Sequence, residues 1–394
     1  MVPRESEGRI LTTHVGSLEI PDEVLEALKD DPSADAQVLR DAVVEVVQRQ
    51  AEVGIDIVDD GEFGKSFWNL YAGYRMNGVE WREETDVVLM RGRDYAAYPN
   101  FFDWAMQTPG VLVWNDPGEV VTRKPVCVGP LGYRPEAVQR DIRNLKSALE
   151  GVDVVDAFMP SVAPASIEAH FANEHYGTQE ELLYAIADAL REEYRAIIDG
   201  GFLLQVDDAW IPLLWSQNSD IEPDEYLRLV ATRVEALNHA LDGLPQERVR
   251  YHVCWGSWHG AHSADVPLET IVDLVLGVNA GTFLLEAANP RHEHEVHVWE
   301  RTKLPEGKKL APGVIAHSTN VIEHPELVAD RIVRYAERVG ADNVIASTDC
   351  GMGNRIHPEL AWGKFGSLVK GARLASERLY GTAAGKRHAT TSGS

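Results

Sequence analysis

Residues 179–210 read QEELLYAIADALREEYRAIIDGGFLLQVDDAW. Leu182, Leu183, Ile186, Leu190, Tyr194 and Ile197 recur at three- and four-residue steps, which predicts a helix over 179–199 with one apolar stripe. Gly200 and Gly201 end that helix. The apolar run that follows, 202–206, has the unbroken hydrophobic character of a strand covered on both faces. Polar residues then gather at its C-terminal end, in Asp207, Asp208 and Trp210.

The same step recurs along the chain. Further strands are expected at 10–15, 55–58, 125–128, 153–158, 250–254, 282–286, 313–317 and 343–347. Amphipathic helices lie between them, such as 325–339, which has Pro325 in its first turn and Gly340 past its last. Repeated units with no long linker favour a single (β/α)8 TIM barrel, an α/β fold, over an open sheet. One domain is expected over 1–381, with a small, polar, disordered tail at 382–394.

Nine strands are one too many for such a barrel. The excess falls beside a segment that breaks the rhythm, from about 70 to 123, where Tyr71, Tyr74, Trp81, Tyr95, Tyr98, Phe101, Phe102, Trp104 and Trp114 crowd together. We read an aromatic-rich insertion after the second strand, forming with 125–128 a small subdomain. It is either ordinary packing, a surface for a homo-oligomer, or a substrate lid.

Of 394 residues, 44% are hydrophobic and 25% charged, which excludes a disordered or fibrous chain. Thirty-seven basic residues against 62 acidic give a net charge of -25, which repels phosphate backbones and anionic lipids, so neither nucleic acid nor membrane is an expected partner. The start lacks signal-peptide character and no long apolar run occurs, so a cytoplasmic location is expected. Cys127, Cys254 and Cys350 are too few and too scattered for a disulfide framework.

Two of those cysteines bear on chemistry. In RVRYHVCWGSWHG, 248–260, His252 and Cys254 are two residues apart on a strand, and a period of two puts both side chains on one face. The strand of GTFLLEAANPR ends in Glu286, an acid expensive to bury without a cation. Further on, NVIASTDCGMG ends a strand with Asp349 and Cys350. Each residue alone is ordinary core. Together, His252, Cys254, Glu286 and Cys350 fall at the same end of three strands and form a nitrogen, sulfur and oxygen set that suits zinc. Ligands so far apart in sequence exclude a zinc finger and point to a catalytic site at a barrel mouth. Two thiolates make zinc a weak polariser of carbonyls but a good holder of a reactive thiolate, so a small-molecule thiol is the expected ligand and S-alkylation the expected chemistry. The neighbouring run RHEHEVHVWE holds His292, His294 and His297, but no regular structure brings all three together, and it reads as a solvated helix start.

The motifs THVGSL, GIDIVDDGEFGKSFW, LLQVDDAW, YHVCWG, FLLEAANPR, EHPELVADRI and NVIASTDCGMG resemble the catalytic domain of cobalamin-independent methionine synthases, over most of residues 8–370. Stand-alone single-barrel relatives, which include epoxyalkane:coenzyme M transferase, look closest. The resemblance implies a barrel with catalytic zinc held by His252, Cys254 and Cys350, with Glu286 able to take the remaining position. It implies that His14, Gly16 and Ser17 form a turn holding an amino-acid carboxylate. It further implies that Asp207 holds the substrate ammonium and that Glu62 lines the pocket beside it. On the residues alone, the Gly-Ser turn is either an anion cradle or merely a turn, and Asp207 either a ligand or a cap.

Trp210, Trp255 and Trp258 follow strands and either stack on a planar donor or pack the rim. His259, His262 and His317 are candidate proton donors. Gly64-Lys65-Ser66-Phe67-Trp68 departs from the family pattern after the strand-two acid, which leaves open which thiol is taken. An alkyl donor is implied as second substrate, and methyl transfer is the expected reaction. The alternatives are thiol addition to an epoxide and a non-catalytic zinc-binding barrel. The related uroporphyrinogen decarboxylase architecture would leave the zinc ligands idle.

Overall fold

The computed structural model describes residues 8–65, 69–83, 92–108 and 123–381. Trp114, Ser66, Phe67, Trp68 and the tail 382–394 lie outside the described residues. Eleven strands are found in chain order among the described residues: β1 (Leu11–Thr12), β2 (Ile57–Val58), β3 (Met76–Glu83), β4 (Arg123–Tyr133), β5 (Asp156–Val162), β6 (Ala172–Asn173), β7 (Leu203–Asp208), β8 (Val249–Val253), β9 (Thr282–Leu285), β10 (Lys309–Ile315) and β11 (Ile345–Thr348). Eight of them form one parallel sheet in the order β1-β11-β10-β9-β8-β7-β5-β2.

Side chains and one backbone bond bridge the remaining seam between β1 and β2. Asp56 donates its N–H to the Thr12 carbonyl at 3.2 Å, Thr12 N–H donates to Asp56 Oδ2 at 2.8 Å, and Thr13 Oγ1 donates to the Ile57 carbonyl at 3.0 Å. The sheet is thereby a nearly closed TIM barrel with helices outside.

Its interior is filled, as such barrels require. Leu11, Ile57, Phe158, Leu203, Leu284, Ala311 and Ile345, one from each of seven barrel strands, form a cluster of their own with Val15. On β8 the inward residue is Arg250, whose guanidinium lies 3.9 Å from the centre of the Phe158 ring. Polar groups accumulate beyond this plug, toward the C-terminal ends of the strands.

The helix Gln179–Asp199 follows the predicted bounds, with Thr178 accepting at its N-terminus from the Glu181 N–H. Its stripe of Leu182, Leu183, Ile186, Leu190, Tyr194 and Ile197 is buried, each aliphatic member contributing about 1.5–3 kcal/mol of burial. The helix Pro325–Val339 also keeps its expected limits. None of the described helices is long and apolar enough to cross a membrane.

β1 and β2 are shorter than the expected 10–15 and 55–58, and two barrel strands that contain a proline extend four residues beyond expectation. β5 runs on through Pro160 to Val162, and β10 begins at Lys309 and passes through Pro312. The expected strands are 153–158 and 313–317, and proline normally marks the border of a central strand because it lacks the ladder N–H. Pro160 and Pro312 nevertheless stand in register with Gln205 and Leu285.

The surplus ninth strand belongs to a second sheet. β4 pairs antiparallel with β3 from the aromatic insertion and parallel with β6 from the loop after β5. Within it Tyr74 and Trp81 stack at 4.2 Å.

Candidate active site

Alternation along β8 aims Arg250, His252 and Cys254 to one side, the barrel interior, with His252 in register with Asp207 on β7 and Leu284 on β9. At the strand ends, Cys254 Sγ stands 3.6 Å from Cys350 Sγ. One ligand atom each of His252, Cys254 and Cys350 falls within 4.8 Å of the others. Both ring nitrogens of His252 are buried and have no hydrogen-bond partner among the described residues.

Ser257 Oγ donates to Cys350 Sγ at 2.7 Å, and Gly256 N–H approaches Cys254 Sγ at 3.3 Å. The hydrogen bond between the sulfurs, then burial, pushes the Cys254 thiol up. The same bond, with the nearby His252, pulls Cys350 down. A buried imidazole facing two sulfurs fits a soft divalent cation in its donor chemistry.

Glu286 is not brought into that triplet. Its Oε1 accepts the Trp255 N–H at 2.8 Å and its Oε2 accepts from Asn289 Nδ2 at 2.6 Å. It groups instead with His317 and Asp349, and burial drives its pKa well up. Asp349 fixes the turn after β9 by accepting the N–H groups of Ala287, Ala288 and Asn289 at 2.7–2.8 Å. His317 is fully buried, with Nδ1 unpartnered among the described residues, and burial lowers its pKa to about 4.

A second cluster forms around Gly16. Its φ of +136° suits only glycine, and a Cβ there would lie 2.6 Å from Glu62 Oε1. Glu62 itself is left-handed, at φ 61°, and its Oε2 receives Lys65 Nζ at 3.3 Å while the same ammonium donates to the Pro160 carbonyl at 2.6 Å. Asp207 accepts from Gln205 Nε2 at 2.8 Å. Burial first, and the charge of Glu62 second, raise Asp207 to about 8. Ser17 packs on Gly351, and its carbonyl receives the N–H groups of Met352 and Gly353, both at 2.9 Å. His14 sits in the barrel wall, 2.7 Å from Gln50 Oε1 and against Phe158 and Phe365.

The aromatic and histidine candidates separate. Trp255 is buried, donating Nε1–H to the Val266 carbonyl at 2.8 Å with its ring on His292. Trp210 is half-buried, its ring meeting the His170 ring at 5.6 Å. Trp258 is buried between Phe102 and His262, and its Nε1 lacks a partner among the described residues. His259 is half-buried with Nε2 unpartnered in the same sense.

His262 faces two acceptors, Asp265 Oδ2 at 2.8 Å from Nδ1 and the Trp258 carbonyl at 3.0 Å from Nε2. Burial opposes its charge, but the Asp265 carboxylate holds its pKa above the ordinary value. His292 is the correction to the expected solvated helix start. It is buried, bound by Nδ1 to Glu295 at 2.9 Å and by Nε2 to Asp265 at 3.1 Å. Burial opposes its charge, but the two carboxylates hold its pKa up at about 10. His294 and His297 are exposed, as solvated residues should be. A short 3₁₀ segment, Glu293–Glu300, carries them, and its lack of a long period hid the burial of His292.

The insertion packs on the loops beyond β7 and β8. Asp94 Oδ1 accepts the N–H groups of Ser263 and Ala264, both at 3.1 Å. Arg93 donates to the carbonyls of Trp215 and Ile221 at 3.0 and 2.8 Å, and Phe102 meets Trp258 at 5.6 Å. Ser257, Asn289, Asp265 and Asp94 escaped the sequence reading, since isolated polar residues in loops carry no periodic signal.

Residues 164–373 match the model of the cobalamin-independent synthase catalytic domain. The chain belongs to this family. Members of the cobalamin-independent synthase family among its relatives include a methionine synthase of Thermococcus kodakarensis, 25% identical over 344 residues that cover 87% of this chain and 84% of that one. The 2-hydroxypropyl-CoM lyase of Xanthobacter autotrophicus is 23% identical, covering 96% and 93%. In fold the chain is similar to a B12-independent methionine synthase from a Shewanella species, solved with selenomethionine, at a TM-score of 0.69 and 21% identity over 94% of this chain and 99% of that one. Family membership makes the chain a methionine-synthase-like transferase, in a family whose work is methyl or alkyl transfer.

Proposed function

We propose that the chain is a zinc-dependent alkyltransferase, with methyl as the group transferred, that S-alkylates a small thiol bearing an ammonium group. One observation carries this reading. Cys254, Cys350 and His252 meet at the mouth of the barrel, and β7, beside the strand of His252, supplies the half-buried acid Asp207. His252, Cys254 and Cys350 would hold zinc, with the remaining position for the thiol, or for Glu286 once it releases the Trp255 N–H and Asn289. When bound, zinc supplies the Lewis acidity that removes the proton from a thiol whose aqueous pKa is about 8.5.

The remaining work falls to the chain's own residues. Asp207 and Glu62 bind the ammonium. Gly16 lets the backbone come close, and Ser17 takes the carboxylate. Holding thiol and donor together turns a bimolecular encounter into an intramolecular one. Trp210 and Trp258 border the side open to the donor, while Trp255, whose Nε1 is engaged, and His14, whose Nε2 is engaged, shape the wall. Among the candidate proton donors, His262 has both nitrogens engaged and His317 is fully buried. His259, half-buried with Nε2 unpartnered among the described residues, is the one we assign to protonate the leaving atom. We read residues 1–381 as one domain working in the cytoplasm.

A second reading, thiol addition to an epoxide, is supported by the 2-hydroxypropyl-CoM lyase that covers 96% of the chain. The acids Glu62 and Asp207 favour the ammonium-bearing thiol over a sulfonated one. Zinc content, with zinc-edge X-ray absorption in the presence of homocysteine, cysteine or 2-mercaptoethanesulfonate, tests both. An added sulfur scatterer with homocysteine alone is expected. A response to the sulfonate alone moves the chain to the second reading, and a first shell indifferent to every thiol leaves a non-catalytic zinc site. Asp207→Asn should keep zinc and lose the homocysteine response.

A further inference from the structure

The Lys65 ammonium is turned inward. Lys65 is buried, and its Nζ donates to the Pro160 carbonyl at 2.6 Å, stands 3.3 Å from Glu62 Oε2 and lies 5.0 Å from the centre of the Tyr71 ring. An ammonium has three N–H groups, and the chain meets this one with a carbonyl, a carboxylate and an aromatic face. Its charge therefore acts on Glu62 rather than on a molecule from solution.

Glu62 is thereby held by one oxygen and open at the other. Oε2 is on Lys65, whereas Oε1 is the atom 2.6 Å from where a Cβ on Gly16 would stand. Asp59 Oδ2, buried and without a partner among the described residues, lies 3.4 Å from the same point. Beside Gly16, the Val15 carbonyl accepts from Gln205 Nε2, and the same nitrogen donates to Asp207 Oδ1 at 2.8 Å. Contacts alone thus connect Glu62, Gly16 and Asp207 as one corner.

The segment that carries Lys65 is backed by the insertion. The Lys65 N–H donates to the Glu62 carbonyl and the Glu62 N–H to Asp60 Oδ1, both at 3.0 Å, which closes a turn with Glu62 left-handed. Gly64 packs on the helix Glu136–Ala148, where a Cβ would collide with the Asp141 carboxylate, and its carbonyl accepts from Arg140 Nη2 at 3.0 Å. Asp141 in turn binds Arg75 Nη2 at 2.6 Å. Arg75 and Tyr71, both from the insertion, reach Glu193 at 3.3 and 2.9 Å. A fully paired buried network of this kind fixes the side chains at its edge.

We infer that Lys65 is the positioning residue of the ammonium site: by holding Glu62 Oε2 it keeps Oε1 turned to Gly16, where the ammonium of the thiol would meet it. Without Lys65, Glu62 faces Asp59 with no cation beside it, and a buried carboxylate so placed takes a proton or turns away. The inference rests on the reading of Glu62 as an ammonium ligand proposed above.

The test is isothermal titration calorimetry on the zinc-loaded protein and on its Lys65→Met, Lys65→Arg, Glu62→Gln and Lys65→Met/Glu62→Gln variants. The probes are homocysteine and 4-mercaptobutyrate, the same thiol without its ammonium. Lys65→Met should weaken homocysteine by about tenfold or more, leave 4-mercaptobutyrate within about twofold, and retain zinc. Lys65→Arg, which keeps the cation, should recover part of the loss. In Glu62→Gln no carboxylate is left to hold, so adding Lys65→Met should change homocysteine binding by no more than about twofold. The double variant leaves neither member of the pair charged, and it reads the coupling even where Lys65→Met alone fails to fold. Equal weakening of both thiols, unchanged or tighter homocysteine binding in Lys65→Met, no recovery in Lys65→Arg, or an additive loss in the double variant would overturn the inference. Glu62→Gln binding homocysteine as the wild type does would instead overturn the ammonium reading of Glu62, and the Lys65 inference with it.

Discussion

Cys254 Sγ and Cys350 Sγ stand 3.6 Å apart, with Ser257 Oγ 2.7 Å from the second. Two thiolates at that distance repel, and without a cation one must keep its proton. Cys254→Ser or Cys350→Ser should therefore reduce zinc affinity by about a hundredfold or more while leaving the barrel folded, because the sulfurs lie beyond the interior plug of Leu284, Phe158 and their neighbours. Zinc content after dialysis and far-UV circular dichroism measure the two effects. Full zinc retention in either variant removes the site from the metal.

Gly16→Ala isolates the acid corner. The new Cβ would fall 2.6 Å from Glu62 Oε1, at a backbone φ of +136° that alanine resists. Glu62 must move. We expect unchanged zinc content, a loss of about 1–3 kcal/mol in stability, and at least about tenfold weaker binding of homocysteine with little change for a thiol lacking the ammonium. Equal weakening of both thiols would separate Glu62 from ammonium recognition.

How far the sequence carries can be judged residue by residue. The helix Gln179–Asp199 was legible because six buried apolar residues, Leu182 to Ile197, repeat at helical spacing over about four turns. His252 and Cys254 were legible as neighbours because strand alternation is strict. The limits of β5 and β10 were hidden by Pro160 and Pro312, which stand inside strands where proline is normally excluded. Trp255 and Trp258 are three residues apart in one loop, yet one is anchored to the Val266 carbonyl and the other packs on Phe102. Only the path of the chain distinguishes them. Glu286 ended its strand as expected, but the side chain turns to Trp255 and Asn289, a rotamer choice that no periodicity records.

Burial of His14 has a consequence for acid stability. Loss of solvent holds its folded pKa at about 4 against an ordinary 6.5. Between those values the unfolded chain takes up a proton that the folded chain refuses, so this residue costs stability as pH falls through that window and no more below it. At pH 5 the cost relative to neutral pH is about 2 kcal/mol. His14→Gln should remove that increment. Urea unfolding of both proteins at pH 7 and pH 5 measures it, and an equal pH response in the two would show that His14 is charged in the fold.

Asp265 sits between two imidazole rings whose pKa values its carboxylate raises, with His262 Nδ1 at 2.8 Å and His292 Nε2 at 3.1 Å from the same oxygen. It ties the loop after β8, where His262 holds a left-handed φ of 50°, to the 3₁₀ segment after β9. Trp258, His259 and the Ser263 contact to Asp94 all lie on that loop, so its position sets both the mouth of the barrel and the seat of the insertion. Asp265→Asn removes the negative charge but keeps the shape, leaving His292 with Glu295 and His262 with no carboxylate. Breaking a buried ion pair from one side costs about 3–5 kcal/mol. We expect a lower melting temperature, faster proteolysis within 256–265, and unchanged zinc content, since neither histidine belongs to the triplet of His252, Cys254 and Cys350. Asp265→Glu should recover part of the stability. A variant as stable as the wild type at pH 7 would mean that the two rings are neutral and that Asp265 is not what holds the loop.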